Sequence, residues 1–351
     1  MIRIAIIGTG GMGSHHARVF QTLSHCELLA VCGPDSARVA RFAAQFEVPL
    51  SFTDLAELLE QVTVDALVIA APDPFHADLS MQGIAAGKHI LCEKPLAINF
   101  AQAGLMAALA QRAGVVNMVN FSYRQSAALH RARQMIKEGA LGNIVHVEAS
   151  HLQSWLSSKA WGDWRTDAAL LRKLSSSEGS GGVLGDLAGH LLDFVTYVIG
   201  DIEDVHCRTG VYGKTIDNTL SDQVGDHKLD ANDSAVMTAR FQNGALGVLH
   251  MSRWASGYIN RVCLAVHGDK GGLRIKLEDG TDVLEVCMGD DVDQGRWQPV
   301  KLESIKGNQE RFIEAIQVGT GVQPDFARGA AIQQLIDACS ASALDGHSRP
   351  L

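Results

Sequence analysis

"IRIAIIGTGGMGSHHARVF", residues 2–20, is the stretch on which the fold turns. Its opening run, 2–8, is β-branched and too short for a helix, so it reads as a buried strand. Apolar residues at helical spacing follow in "SHHARVFQTL". Between the two, Gly8, Gly10 and Gly13 match G-x-G-x-x-G, with Gly11 and Met12 completing the turn. Glycine clusters occur in many turns, but this one closes a strand and opens a helix, the context the motif requires. The first glycine permits the tight turn, the second lets backbone approach a pyrophosphate, and the third lets helix and strand pack closely. The helix start adds amide donors and the positive end of its dipole. A plain strand–turn–helix connection is the competing explanation; a dinucleotide site is the stronger one.

The same alternation continues outward. "ELLAVCG", "VDALVIAAP", "HILCEKP" and "VVNMVNFSYR" read as strands, and "SARVARFAAQF", "HADLSMQGIAAG" and "FAQAGLMAALAQRAG" as helices between them, the second closing on Gly87. Strands separated by single helices imply parallel βαβ units and a doubly wound α/β sheet, a Rossmann domain over residues 1–122. From there the pattern changes. "NIVHVEASHLQ" alternates with period two, "AVMTARFQNGALGVLHMSRW" is a hairpin around Asn243-Gly244, and 258–286 continues a meander. Residues 123–351 therefore read as an α+β domain with a mainly antiparallel, open-faced sheet. Two amphipathic helices in its tail, "QERFIEAIQVG" and "GAAIQQLIDACSASAL", are expected to pack back on the first domain. "SSSEGSGG" (175–182) reads as a flexible loop.

Composition narrows the function. The chain has 351 residues, 46% hydrophobic and 20% charged, with a net charge of −9. With no run of lysines or arginines, it offers no footprint for nucleic acid or an anionic membrane surface. Seven scattered cysteines include no C-x-x-C pair, which suggests a reducing compartment and no zinc ribbon. No His/Asp/Glu cluster has metal-ligand spacing, so no metal is expected. The opening apolar run is too short for a signal peptide and none is long enough to span a bilayer, so the expected location is cytoplasmic.

The second strand bears on which dinucleotide is bound. An acidic residue at its end ordinarily holds the adenosine ribose hydroxyls, but Gly33 stands there. Asp35, two residues on, can reach the ribose; alternatively, Ser36 and Arg38 can receive a 2′-phosphate. Both NAD and NADP remain open on this evidence.

Two constellations carry chemistry. In "LCEKPLA" (91–97), Glu93 and Lys94 end a buried strand, where ligands of doubly wound sheets bind. Lys94 either extends its ammonium to solvent or serves a partner there. In "GGVLGDLAGHLLDF" (181–194), Asp186 and His190 stand four apart on one face of a helix. They are either a helix-start acid with a core histidine, or a paired site next to glycines that admit a ligand.

Taken in order, G-x-G-x-x-G, "AAPDPFH" (70–76), "EKP", "GALG" (139–142) and D-x-x-x-H make the whole chain resemble the Gfo/Idh/MocA family, which includes glucose–fructose oxidoreductases and inositol dehydrogenases. The resemblance implies that Lys94 hydrogen-bonds the reacting oxygen, and that Asp186 and His190 are the acid and the proton acceptor. It implies that the 70–76 loop, through Ala71, Pro72 and His76, touches the nicotinamide side of the cofactor beside Glu93 and Lys94. It also implies that Trp164-Arg165 lies near cofactor and substrate. The chain departs from the family at Gly33 and at Asp73, where asparagine is more usual.

The activity so implied is NAD(P)-dependent hydride transfer between nicotinamide and a secondary hydroxyl or ketone. His190 takes the hydroxyl proton, Lys94 stabilises the developing alkoxide, and Asp186 orients His190 or holds a neighbouring hydroxyl. This requires the ammonium from the first domain to face the carboxylate–imidazole pair of the second. A polyhydroxylated substrate, a sugar, sugar derivative or cyclitol, is expected against Tyr123, Arg124, Trp155, Trp161, Trp164 and Arg165. Two alternatives are an NAD-dependent glycoside hydrolase acting by transient oxidation and a non-catalytic nucleotide sensor. Apolar sheet surface points to a homodimer or homotetramer.

Overall fold

The computed structural model describes residues 1–216 and 218–351, in two compact units. The first comprises Met1–Gln125 and Lys306–Gln334; the second comprises Ser126–Ile305 and Leu335–Leu351.

In the first unit the chain runs β1 (Ile2–Ile7), α1 (Gly11–Gln21), β2 (Cys26–Cys32), α2 (Ser36–Gln45), β3 (Leu50–Phe52), α3 (Leu55–Gln61), β4 (Ala66–Ile69), α4 (His76–Ala85), β5 (His89–Cys92), α5 (Phe100–Ala113) and β6 (Asn117–Val119). All the pairings are parallel, in the order β3-β2-β1-β4-β5-β6. The order reverses beside β1, which puts the glycine turn at the crevice where such sheets bind ligands. Ile4 and Ile6 of β1 are fully buried, in one apolar cluster with Phe20, Val31, Val68, Leu91, Met118 and Phe312. Each such side chain contributes about 1.5–3 kcal/mol of burial. Asp35, Asp54 and Asn99 cap α2, α3 and α5 by accepting backbone N–H bonds, the expected role of short polar residues at helix starts.

The second unit begins with α6 (Ala127–Lys137), β7 (Ile144–Gln153), α7 (Ala168–Arg172), a π turn (Leu184–Ala188) running into α8 (Gly189–Ile199), and β8 (Ile202–Gly210). Short ribbons follow: β9 (Lys214–Ile216), β10 (Thr219–Ser221), β11 (Gln223–Val224) and β12 (His227–Lys228). Then come β13 (Ser234–Phe241), β14 (Leu246–Ser252), β15 (Asn260–Gly268), β16 (Gly271–Glu278), β17 (Thr281–Met288), α9 (Asp291–Gln294) and β18 (Gln298–Pro299). The helices α10 (Asn308–Val318) and α11 (Phe326–Asp345) and the strand β19 (Arg349–Pro350) complete the chain. The nine-stranded sheet, β18-β17-β16-β15-β7-β14-β13-β8-β19, is antiparallel except where β14 lies parallel to β7. α10 and the first turns of α11 belong to the first unit, and the division falls between Gln334 and Leu335.

Stretch 175–182, low in complexity, is a loop with one 3₁₀ turn, and partners tie down its backbone. Ser176 N–H donates to Asp230 at 2.8 Å, Ser180 Oγ donates to the Lys173 carbonyl at 2.7 Å, and Arg253 donates to the Gly182 carbonyl at 3.2 Å. Composition alone, which suggested flexibility, carries no information about such distant partners.

Candidate active site

The carboxyl edge of the parallel sheet gathers the glycine turn, the 70–76 loop and the Glu93–Lys94 segment. Gly8 adopts φ +116°, and a Cβ there would stand 2.4 Å from the Ala70 carbonyl oxygen. A Cβ on Gly13 would stand 2.1 Å from the Gly8 oxygen, whereas Gly10 and Gly11 have nothing within 4 Å of that position. The turn is thus closed on the protein side and open on the other, and no side chain caps the start of α1 at Gly10. Free helix-start amides beside an open glycine backbone suit a pyrophosphate, so these residues fit a dinucleotide. Met12 is 41% exposed at the same turn. Gly13→Ala is expected to cost about 1–3 kcal/mol through overpacking, and to abolish NAD binding, as thermal unfolding and cofactor titration would report.

Asp35 is exposed just past β2, and one carboxylate oxygen accepts the Arg38 N–H at 3.0 Å. Ser36 and Arg38 are also exposed. Gly33 is buried, and a Cβ there would meet Val39 at 3.3 Å, so a larger side chain would press on α2.

Glu93 is 6% exposed and is the hub of a buried network. Its Oε1 accepts from His16 Nε2 at 2.8 Å and from Asn120 at 2.7 Å, and its Oε2 accepts the Lys94 N–H at 3.3 Å. Gln309 donates to His16 Nδ1 at 3.2 Å, which leaves the Nε2 proton for Glu93. Asn308 donates to the Asn120 oxygen at 2.9 Å. α10 thus locks the end of β5 from a sequence distance that no local pattern reveals. Burial pushes the Glu93 carboxyl up, but the His16 and Asn120 hydrogen bonds and the Lys94 charge outweigh it and hold it below the usual range. A depressed carboxylate adds stability above its unfolded pKa of ~4.3, and that stability is lost as pH falls through the folded value. Glu93→Gln turns an N–H toward the Lys94 N–H. It is expected to lower stability near neutrality by about 2 kcal/mol, with the deficit shrinking in acid; Tm against pH checks this.

Lys94 is half-buried after this carboxylate, and its peptide bond to Pro95 is cis. Tyr123 and Arg124 lie in the 3₁₀ turn after β6, half-buried and buried respectively.

In the second unit, Asp186 lies in the π turn and His190 one turn later, at the start of α8. Asp186 Oδ2 accepts from Arg253 and from Lys173, both at 3.2 Å. Arg253 is fully buried over the Trp155 ring, 4.9 Å from its centroid, and also donates to the Lys173 carbonyl at 2.9 Å. Burial lowers the guanidinium pKa against the opposing pull of Asp186. Sequence reasoning missed Arg253, which had no signal beyond its place at the end of a strand. His190 packs edge-on to buried His151, with centroids 6.1 Å apart. The Trp155 indole N–H donates to Gln153, Gln153 to Asn260 Oδ1, and His151 Nε2 lies 2.9 Å from the same oxygen. An indole only donates, so the chain of donors fixes His151 as a donor at Nε2.

Trp155 and Trp164 are 2% and 1% exposed and form a core cluster with Leu156, Leu171, Leu174 and Leu229. Their rings pack against protein; the Trp164 indole donates to the Leu156 carbonyl, and Arg165 covers its face at 4.6 Å. Trp161 alone of the three is well exposed, at 44%. Among the described residues, no group of three or more His, Cys, Asp or Glu is disposed to hold a metal ion. No described helix is long and apolar enough to cross a membrane.

A 3-2-1-4-5-6 parallel sheet with an open glycine turn, carrying a lysine at the end of the fifth strand, defines a class: the dinucleotide-binding proteins of Rossmann type. Residues 2–121 match an oxidoreductase family described as having an NAD-binding Rossmann fold, and residues 129–274 match the GFO/IDH/MocA C-terminal domain. The chain belongs to the Gfo/Idh/MocA family. It is 26% identical to levoglucosan dehydrogenase of Pseudarthrobacter phenanthrenivorans, over 97% of this chain and 96% of that one. It is 27% identical to myo-inositol 2-dehydrogenase of Thermotoga maritima, over 91% and 89%. Among solved structures, levoglucosan dehydrogenase with NADH and L-sorbose superimposes with a TM-score of 0.86 at 25% identity, covering 99% of this chain and 98% of that one.

Proposed function

We propose that the protein oxidises a secondary hydroxyl of a sugar or cyclitol, with Lys94, Asp186 and His190 acting on that alcohol. The observation that carries this reading is the fastening of Lys94. The buried His16–Glu93–Asn120 network holds its backbone at the carboxyl end of β5, on the edge that bears the glycine turn. The names of the relatives, which act on levoglucosan and myo-inositol, support a polyhydroxylated substrate.

Bound NAD supplies the hydride acceptor. Gly10–Gly13 would hold its pyrophosphate through backbone amides, with the 70–76 loop on the nicotinamide side. Lys94 donates to the substrate oxygen and stabilises its developing negative charge. Neutral His190 takes the hydroxyl proton. Asp186, kept in place by Arg253 and Lys173, accepts from a neighbouring hydroxyl. The test is absorbance at the reduced-nicotinamide band across a panel of sugars, anhydrosugars and inositols. Accumulation of NADH with one of them supports the reading; release of an aglycone from glycosides without net NADH overturns it.

NAD is the inferred cofactor over NADP. The Asp35 carboxylate retains an oxygen for a ribose hydroxyl and repels a 2′-phosphate, while its other oxygen caps α2. Asp35→Ser is expected to weaken NAD binding and narrow the gap to NADP, as measured by titrating both dinucleotides.

Val145, Val236, Leu246 and Val283 stand exposed on strands of the large sheet. A homodimer or homotetramer formed through this sheet would cover them. Light scattering on the purified protein tests this, and a monomer rejects it.

A further inference from the structure

His76, in the loop that the resemblance puts on the nicotinamide side, has unusual surroundings. It is fully buried at the start of α4. Its Nδ1 lies 2.7 Å from the Pro95 carbonyl oxygen and its Nε2 lies 2.8 Å from the Ala71 carbonyl oxygen. A carbonyl oxygen only accepts, so a neutral imidazole, which has one N–H, can satisfy only one of these contacts and turns a lone pair on the other. Both are made well only when both ring nitrogens carry protons.

We propose that His76 is held as an imidazolium and acts as a positioning residue for Lys94, tying the loop after β4 to the segment after β5. Ala71 closes against the glycine turn, since its amide stands 2.8 Å from where a Gly8 Cβ would be. Pro95 directly follows Lys94. One buried cation therefore braces three pieces of backbone: the glycine turn through Ala71, the 70–76 loop itself, and the lysine-bearing segment. Charge-assisted hydrogen bonds to two carbonyls are stronger than neutral ones and offset part of the cost of burying the charge. The Asp73 carboxylate in the same loop favours the charged ring, and the Cys92 sulfur at the end of β5 can accept a hydrogen bond from it. Burial lowers the histidine's pKa, but Cys92, the Pro95 carbonyl and Asp73 outweigh it and raise it to about 10.

The role assigned to Lys94 rests on the proposed function; the protonation state of His76 does not. The experiment is ¹⁵N NMR of the imidazole nitrogens in histidine-labelled enzyme, with the His76 signals assigned by their disappearance in His76→Gln. Both His76 nitrogens are expected to bear protons from pH 6 to pH 9, while exposed histidines lose theirs around pH ~6.5. A ring nitrogen without a proton at neutral pH overturns the proposal. His76→Gln is then expected to lower kcat roughly 10²-fold by displacing Lys94, a larger factor than any rise in the KM for NAD. A variant that keeps wild-type kcat, or loses only NAD affinity, overturns the positioning role. Should that variant fail to fold, the spectrum of the wild-type enzyme still decides the charge state, with assignment through ring contacts to Ala71 and Pro95.

Discussion

Lys94→Ala is expected to lower kcat for oxidation of the sugar substrate by roughly 10²–10³-fold, the loss typical of removing one preorganised donor to a developing oxyanion. The KM for NAD should change little, because the glycine turn rather than the ammonium carries the pyrophosphate. The reason for so large an effect lies in the support beneath the residue. Glu93 is buried and hydrogen-bonded by His16, Asn120 and the Lys94 backbone, so little reorganisation is needed when charge develops on the substrate oxygen. Lys94→Arg should not restore the rate, since a planar fork cannot occupy the position of a compact ammonium at the end of a packed strand. Steady-state kinetics with both variants checks this. Wild-type turnover in Lys94→Ala would remove the lysine from the mechanism.

His190→Ala is expected to lower kcat roughly 10²–10⁴-fold, the range of a lost general base. It carries a pH signature as well. In the oxidation direction the imidazole must be neutral to take a proton, so kcat/KM of the wild type should fall at acid pH. In His190→Ala that acid limb should be gone, leaving a low and flatter profile. Asp186→Asn separates the carboxylate's contribution. Because Lys173 also lies 3.5 Å from the other carboxylate oxygen, an amide that keeps its oxygen for Arg253 turns an N–H toward the Lys173 ammonium. The rate loss should therefore come with a lowered Tm, whereas His190→Ala, at a half-buried position, should leave Tm close to that of the wild type.

Much of this was legible in the primary structure, for identifiable reasons. The βαβ rhythm of 1–122 shows because buried parallel strands are apolar, as in β4, and in β1 and β5 apart from half-buried Arg3 and His89. β3 and α3 escaped notice: β3 is three residues long with an exposed or half-buried pattern, and α3 is only seven residues. β8 was missed because "IEDVHCRTG" mixes charge with few apolar positions, its buried residues being Ile202, Val205 and Cys207. The glycine turn, Lys94, Asp186 and His190 could be picked out because their residue types are costly where they stand. Their supports could not. His16 and Asn120 reach Glu93 from separate parts of the chain, Gln309 backs His16 from a third, and Arg253 reaches Asp186 across 67 residues. Such contacts are products of topology and leave no periodic trace. The tryptophans show where residue type alone stops informing: an aromatic that suits a sugar face equally suits a core, and Trp155 and Trp164 are buried in an apolar cluster.

The central claim is that Lys94 and His190 serve one substrate oxygen. The direct measurement is a crystal structure of the enzyme with NADH and the sugar that the absorbance panel identifies. Lys94 Nζ and a His190 ring nitrogen are both expected within about 3 Å of the same sugar oxygen, with that oxygen's carbon facing C4 of the nicotinamide. A sugar oxygen at C4 touched by neither side chain, or by groups other than these two, would contradict it.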